Sequence, residues 1–112
     1  MNFENLDVWK RSARLSADIY KAISSLKDFG FRDQLTRAGL SVPSNIAEGM
    51  SRDSMKEQKR FLDIARSSLS EARTQIYIGI DIGYLPKQLG HEWLAETREL
   101  SAMINSLKNK II

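Results

Sequence analysis

Apolar residues recur along most of this chain at spacings of three and four, with charged residues between them, and that period is helical. Four such segments can be traced. The first runs from about Asp7 to Leu26, with Trp9, Ala13, Tyr20 and Ile23 along one side. Leu15, Ile19, Ala22 and Leu26 widen its apolar face, while Lys10, Arg14, Asp18 and Lys21 fall opposite. Gly30 reads as its end. The second, from about Phe31 to Glu48, places Leu35, Ala38, Val42 and Ile46 in register. Pro43 lies inside it, and an interior proline removes a backbone hydrogen bond at a cost of about 3 kcal/mol, so a kink or restart is expected there. Gly49 is positioned as a left-handed C-terminal cap.

The third segment opens on Asp53-Ser54-Met55-Lys56-Glu57, where Ser54 and Glu57 have the spacing of a capping box. Leu62, Ala65, Leu69, Ala72, Ile76, Gly79 and Gly83 follow as a heptad seam with large and small residues in alternate layers, a pattern that lets a neighbouring helix approach closely. Ile76-Tyr77-Ile78-Gly79-Ile80-Asp81-Ile82-Gly83 also alternates in twos and is rich in β-branched residues, which on its own predicts a strand. No partner strand is evident elsewhere, and an unpaired strand leaves its backbone groups unsatisfied. The helix is therefore continued through this stretch. Being apolar nearly all round, it predicts burial on more than one side, with Ile78, Ile80 and Ile82 as candidate subunit-interface residues. The fourth segment runs from about Pro86, suited to a first helical turn, to Asn109. Leu89, Trp93, Leu100, Ile104, Leu107 and Ile111 form its seam.

Short connections between four such segments predict an all-α fold, an antiparallel up-and-down four-helix bundle occupying residues 1–112 as a single domain. Composition agrees: 112 residues, 42% hydrophobic and 28% charged, suit one packed core and not a disordered chain. The absence of Cys rules out a disulfide scaffold and fits a cytoplasmic location. The N-terminal residues lack the pattern of a signal peptide, and no apolar run reaches the ~18 residues of a membrane span.

Little in the sequence points to catalysis. His91 is the single histidine and has no cysteine or second histidine to share a metal with. No phosphate-binding glycine loop, nucleophile elbow or HExxH is present. Bundles can hold metals with glutamates and Glu-x-x-His pairs, but that pair is missing. Glu48 and Glu71 are read instead as inward-facing members of a polar network or salt bridge, with Arg37 as one partner. No enzyme activity, cofactor or metal is expected.

The net charge of +3 gains meaning from its placement. At 100° per residue, Arg52, Lys56, Lys59, Arg66 and Arg73 project into a sector about 100° wide on the third segment, with Asp63 as the main acidic interruption. Such a stripe can follow phosphates without reading bases. An ordinary solvated face is the competing reading.

The run Gln34-Leu35-Thr36-Arg37-Ala38-Gly39-Leu40-Ser41-Val42-Pro43-Ser44-Asn45-Ile46-Ala47-Glu48-Gly49 carries a further signal. With Arg52, Ser54, Phe61-Leu62-Asp63-Ile64-Ala65, Ser68, Glu71, Gly83-Tyr84-Leu85 and the opening Leu6-Asp7-Val8-Trp9-Lys10, it resembles the bacterial four-helix proteins encoded in intervening sequences of 23S ribosomal RNA genes. Gly39 and Ser67 stand where that family more often has Ala and Gly, and the fourth segment matches in pattern only. The resemblance implies a four-helix bundle assembled as a homo-oligomeric ring, a homopentamer. It also implies kinship with accessory proteins of diversity-generating retroelements, which bind nucleic acid and a reverse transcriptase through basic surfaces. Pro43, Asn45, Glu48, Gly49, Arg52 and Glu71 fall on the family motif, and the role it implies for its polar members Asn45, Glu48, Arg52 and Glu71 is structural: ordering the break between the second and third helices and its packing onto a neighbour.

Two functions follow as expectations. One is a non-enzymatic oligomeric protein that binds RNA or DNA through the basic stripe. The other is a protein–protein assembly module with no nucleic-acid role.

Overall fold

The computed structural model describes residues 2–112, and among them every regular element is helical. A 3₁₀ turn, Phe3–Asn5, leads into α1 (Asp7–Ile23), followed by α2 (Phe29–Met50), α3 (Met55–Asp81) and α4 (Lys87–Asn109). α2 packs on α1 and α3, α4 packs on α3, and α4 closes the bundle against α1. The body measures 43 × 22 × 20 Å. Cross-helix partners run in opposite order: Gln34 and Ser41 of α2 meet Gln75 and Ser68 of α3, while Asp63, Arg66 and Arg73 of α3 meet Lys108, Asn105 and Thr97 of α4.

The core consists of the positions that the helical period selects. Ile19 and Ile23 of α1, Leu35 and Ile46 of α2, Leu62, Leu69 and Ile76 of α3, and Leu100 and Ile104 of α4 are fully buried. Removing such side chains from water is the main favourable term, about 1.5–3 kcal/mol for each fully buried aliphatic. The heptad seam of α3 is buried from Leu62 through Gly79, so the stretch that also reads as a strand is helix up to Asp81. Gly83, beyond that end, has φ +80°. It forms a Schellman stop: Gly83 N–H bonds the Ile80 carbonyl at 3.2 Å and Tyr84 N–H bonds that of Gly79 at 2.8 Å.

Several boundaries differ from the sequence pattern, each for a local reason. Leu26 lies beyond α1, which stops at Ile23. Gly30 does not end a segment but sits in the first turn of α2, because the Asp28 side chain caps that helix by accepting from Phe31 N–H at 3.1 Å. Pro43 causes no restart. α2 runs unbroken through it, and the buried Val42, Pro43 and Ile46 offset the missing hydrogen bond. Gly49 is not a left-handed cap; it is helical and buried, where a side chain would crowd the Gln58 carbonyl and Phe61 Cβ. Ser51 takes the cap instead. At the start of α3, half of the capping box forms: Ser54 Oγ accepts from Glu57 N–H at 3.3 Å, while the Glu57 carboxylate turns to Arg60 at 2.6 Å. Pro86 is the residue before α4 and not its first.

Ile80 is spent inside the molecule. It packs into the space left by Gly90, where any Cβ would overlap its side chain. Gly90→Val is accordingly expected to lower stability by about 1–3 kcal/mol through overpacking. A urea or thermal melt would read this, and an unchanged midpoint would mean that α3 and α4 do not meet closely at this level.

Candidate nucleic-acid interface

Lys59, Arg66 and Arg73 recur every seven residues, so they form one line along α3 at intervals of about 10 Å. The line faces α4. Arg66 Nη1 donates to Asn105 Oδ1 at 3.2 Å, and Arg73 Nε donates to Oγ1 of the buried Thr97 at 3.2 Å. α4 adds two cations to the same edge. Arg98 donates to the Tyr77 hydroxyl, and Lys108 Nζ bonds Asp63 Oδ1 at 2.7 Å. Cations from both helices thus share one face, on which Asp63 is the engaged carboxylate.

The structure departs from the projected stripe in two respects. Arg52 does not belong to the line. It lies in the turn between α2 and α3, where helical projection does not apply; it pairs with Glu48 at 3.4 Å and stacks 5.0 Å from the Phe61 ring. Arg66 and Arg73 are half-buried, not fully solvated, because α4 lies close enough to take hydrogen bonds from them. Lys56 is exposed and Lys59 half-buried. A projection of α3 alone does not include Arg98 and Lys108, because it cannot show which edge of α4 lies beside it.

α4 is divided in charge across its width. Glu96 and Glu99 face α1, where Arg11 clasps both, at 3.0 Å from Glu99. That clasp holds the Glu99 carboxyl below its ordinary range, chiefly through the hydrogen bond from Arg11. The acidic residues of α4 are therefore drawn to the α1 side, leaving Arg98 and Lys108 toward α3.

The motif residues are structural in their contacts. Asn45 Nδ2 donates to the Ser41 carbonyl at 2.8 Å and to Ser41 Oγ at 2.9 Å. Ser41 Oγ in turn lies 2.8 Å from Ser68 Oγ, so this ladder ties α2 to α3. Glu48 and Glu71 do not face inward. Both are exposed, Glu48 paired with Arg52 and Glu71 near Gln75, and neither bonds Arg37. They sit on the outer edges of the α2–α3 seam, where water supplies the solvation that an inward position would deny. His91 is exposed at the start of α4. Among the described residues, no three His, Asp or Glu side chains cluster as metal ligands. No described helix is long and apolar enough to cross a membrane.

Two apolar surfaces remain. Ile78 and Ile82 are 48% and 50% exposed at the end of α3, unlike their neighbour Ile80. The larger surface is not among those the sequence pattern singles out. Trp9, Ala13, Ala17 and Tyr20 of α1 and Leu40 and Pro43 of α2 line an outward groove of about 680 Å³. Tyr20 is 62% and Leu40 56% exposed. The signal lay in the width of the α1 apolar arc: Val8, Leu15, Ile19 and Ile23 fill the core, so Trp9, Ala13 and Tyr20 are left on a flank.

The bundle thus carries a basic face between α3 and α4 and an apolar groove between α1 and α2. The sequence matches the 23S rRNA-intervening sequence protein family over residues 4–106, and the chain belongs to that family. Its fold is similar to the crystal structure of a protein with unknown function from the S23 ribosomal protein family of Bacteroides thetaiotaomicron, with a TM-score of 0.84 at 22% identity, covering 90% of this chain and 97% of that one. No curated protein matches the sequence.

Proposed function

We propose that this protein is a non-enzymatic, oligomeric binding protein that contacts RNA, or another nucleic acid, through the α3–α4 face. The observation that carries this reading is the convergence of Lys59, Arg66 and Arg73 with Arg98 and Lys108 on one edge of the bundle. Cations on two adjacent rigid helices can neutralise successive phosphates with no need to read bases. The family's link to the intervening sequence of 23S rRNA agrees with an RNA partner. In this reading the bundle is antiparallel and up-and-down, cytoplasmic, and one unit of a homo-oligomeric ring, a pentamer on the family resemblance.

The α1–α2 groove supports a second reading, a protein-directed assembly module with no nucleic-acid role. An exposed apolar surface of this kind marks an interaction site more often than it marks idle surface. Gentle purification at low salt, with and without nuclease, separates the two. The first reading expects nuclease-sensitive RNA to accompany a particle heavier than the 12.8 kDa chain. Multimers free of nucleic acid under these conditions would favour the second.

A further inference from the structure

Between the outer edges of α3 and α4 lies a polar cleft of about 300 Å³, lined by Asp63, Arg66, Ser67, Ser70 and Ser101. Interhelical grooves are ordinarily closed by apolar side chains or by paired charges. Here the lining is three hydroxyls, a guanidinium and the Asp63 carboxylate. Asp63, the carboxylate of the cleft, is held by Lys108 at 2.7 Å, so it does not neutralise Arg66. Arg66 bonds only the neutral Asn105 amide oxygen through Nη1, and its Nε–H is buried without an acceptor. The arginine is thus held in place, half-buried, with its charge uncompensated.

We propose that this cleft is a seat for a single phosphate group, with Arg66 balancing its charge and the hydroxyls of Ser67, Ser70 and Ser101 donating to its oxygens. A tetrahedral oxyanion suits the lining in two ways. Hydroxyls rotate to meet acceptors from several directions, and the guanidinium carries N–H donors beyond the one given to Asn105. The seat lies on the line of Lys59 and Arg73, one heptad to either side, so a nucleic-acid backbone crossing the α3–α4 face would set one of its phosphates here. In that respect the proposal rests on the nucleic-acid reading above. The same chemistry would also accept free inorganic phosphate.

The test is a nitrogen–proton NMR titration of the full chain with inorganic phosphate and, separately, with a short oligouridylate RNA. Both ligands should shift the Arg66 Nε–Hε signal and the amides of Ser67, Ser70 and Ser101. Arg66→Gln should abolish these shifts and weaken RNA binding about tenfold, with an unchanged thermal midpoint. Should Arg66→Gln fail to fold, Ser70→Ala with Ser101→Ala is the substitute, expected to weaken the same shifts at surface positions. RNA binding that leaves the Arg66 signal unmoved would overturn the seat while leaving the nucleic-acid reading intact. Phosphate shifts at Arg66 with no RNA binding would uphold the seat and overturn that reading.

Discussion

Replacing Lys56, Lys59 and Arg98 together by glutamate is expected to weaken RNA binding about a hundredfold at 0.1 M salt. Each phosphate contact to single-stranded RNA contributes about 0.7 to the slope of log affinity against log salt, so losing three contacts flattens that slope by about two. A slope difference of two, carried from 1 M down to 0.1 M, amounts to about a hundredfold. Stability should barely change. Lys56 and Arg98 are exposed and Lys59 half-exposed, and surface substitutions stay within about 0.5 kcal/mol. The informative control reverses Lys10, Arg14 and Lys21, which α1 exposes to solvent on a different face. It alters net charge equally but should cost far less affinity. Equal losses from the two triple variants, measured by fluorescence anisotropy, would show that overall charge matters and the α3–α4 face does not.

The second large effect concerns assembly. Tyr20→Asp with Leu40→Asp places two carboxylates in the α1–α2 groove at positions already 62% and 56% exposed, so the monomer fold should persist. An interface closing over that groove would have to bury both charges unpaired. Desolvating an unpaired carboxylate costs several kcal/mol, enough to shift the association constant by orders of magnitude. Light scattering should then show the particle falling to the 12.8 kDa monomer. The companion variant, Ile78→Asp with Ile82→Asp, asks the same of the α3 end. If only the companion dissociates the particle, the α3 end holds the subunits and the groove has another purpose.

The two faces differ in how far the sequence reveals them. The core is read directly from periodicity: the seam Leu62, Leu69, Ile76 is buried as its spacing requires, because one helix face is a property of one segment. Ser54 as the cap of α3 is equally local. Relations between helices are not local. Arg52 projects onto the basic stripe only if α3 is extended back through a turn that breaks its phase. Arg98 and Lys108 join the stripe only once the packing of α4 is known. Ile80 appears free for an interface until Gly90 is placed beside it. Glu48 and Glu71 appear inward because their sequence neighbours are apolar, yet both lie just past the edge of the α2–α3 seam. Gly30 and Gly49 mislead for a different reason. A glycine within a helical pattern can serve as a stop or as a place of close approach, and only the three-dimensional neighbour distinguishes the two. The resemblance carried by Ser41-Val42-Pro43-Ser44-Asn45 locates a structural ladder and is silent on chemistry, which suits a family motif that builds the α2–α3 contact.

The most direct measurement is the affinity of the unmodified protein for a short single-stranded RNA between 50 and 200 mM salt. Five phosphate contacts, from Lys56, Lys59, Arg66, Arg73 and Arg98, predict a linear log–log fall with a slope of about −3.5, close to a hundredfold loss across that range. Tight binding with a flat salt dependence, or no binding at 50 mM, would contradict phosphate tracking by the α3–α4 face.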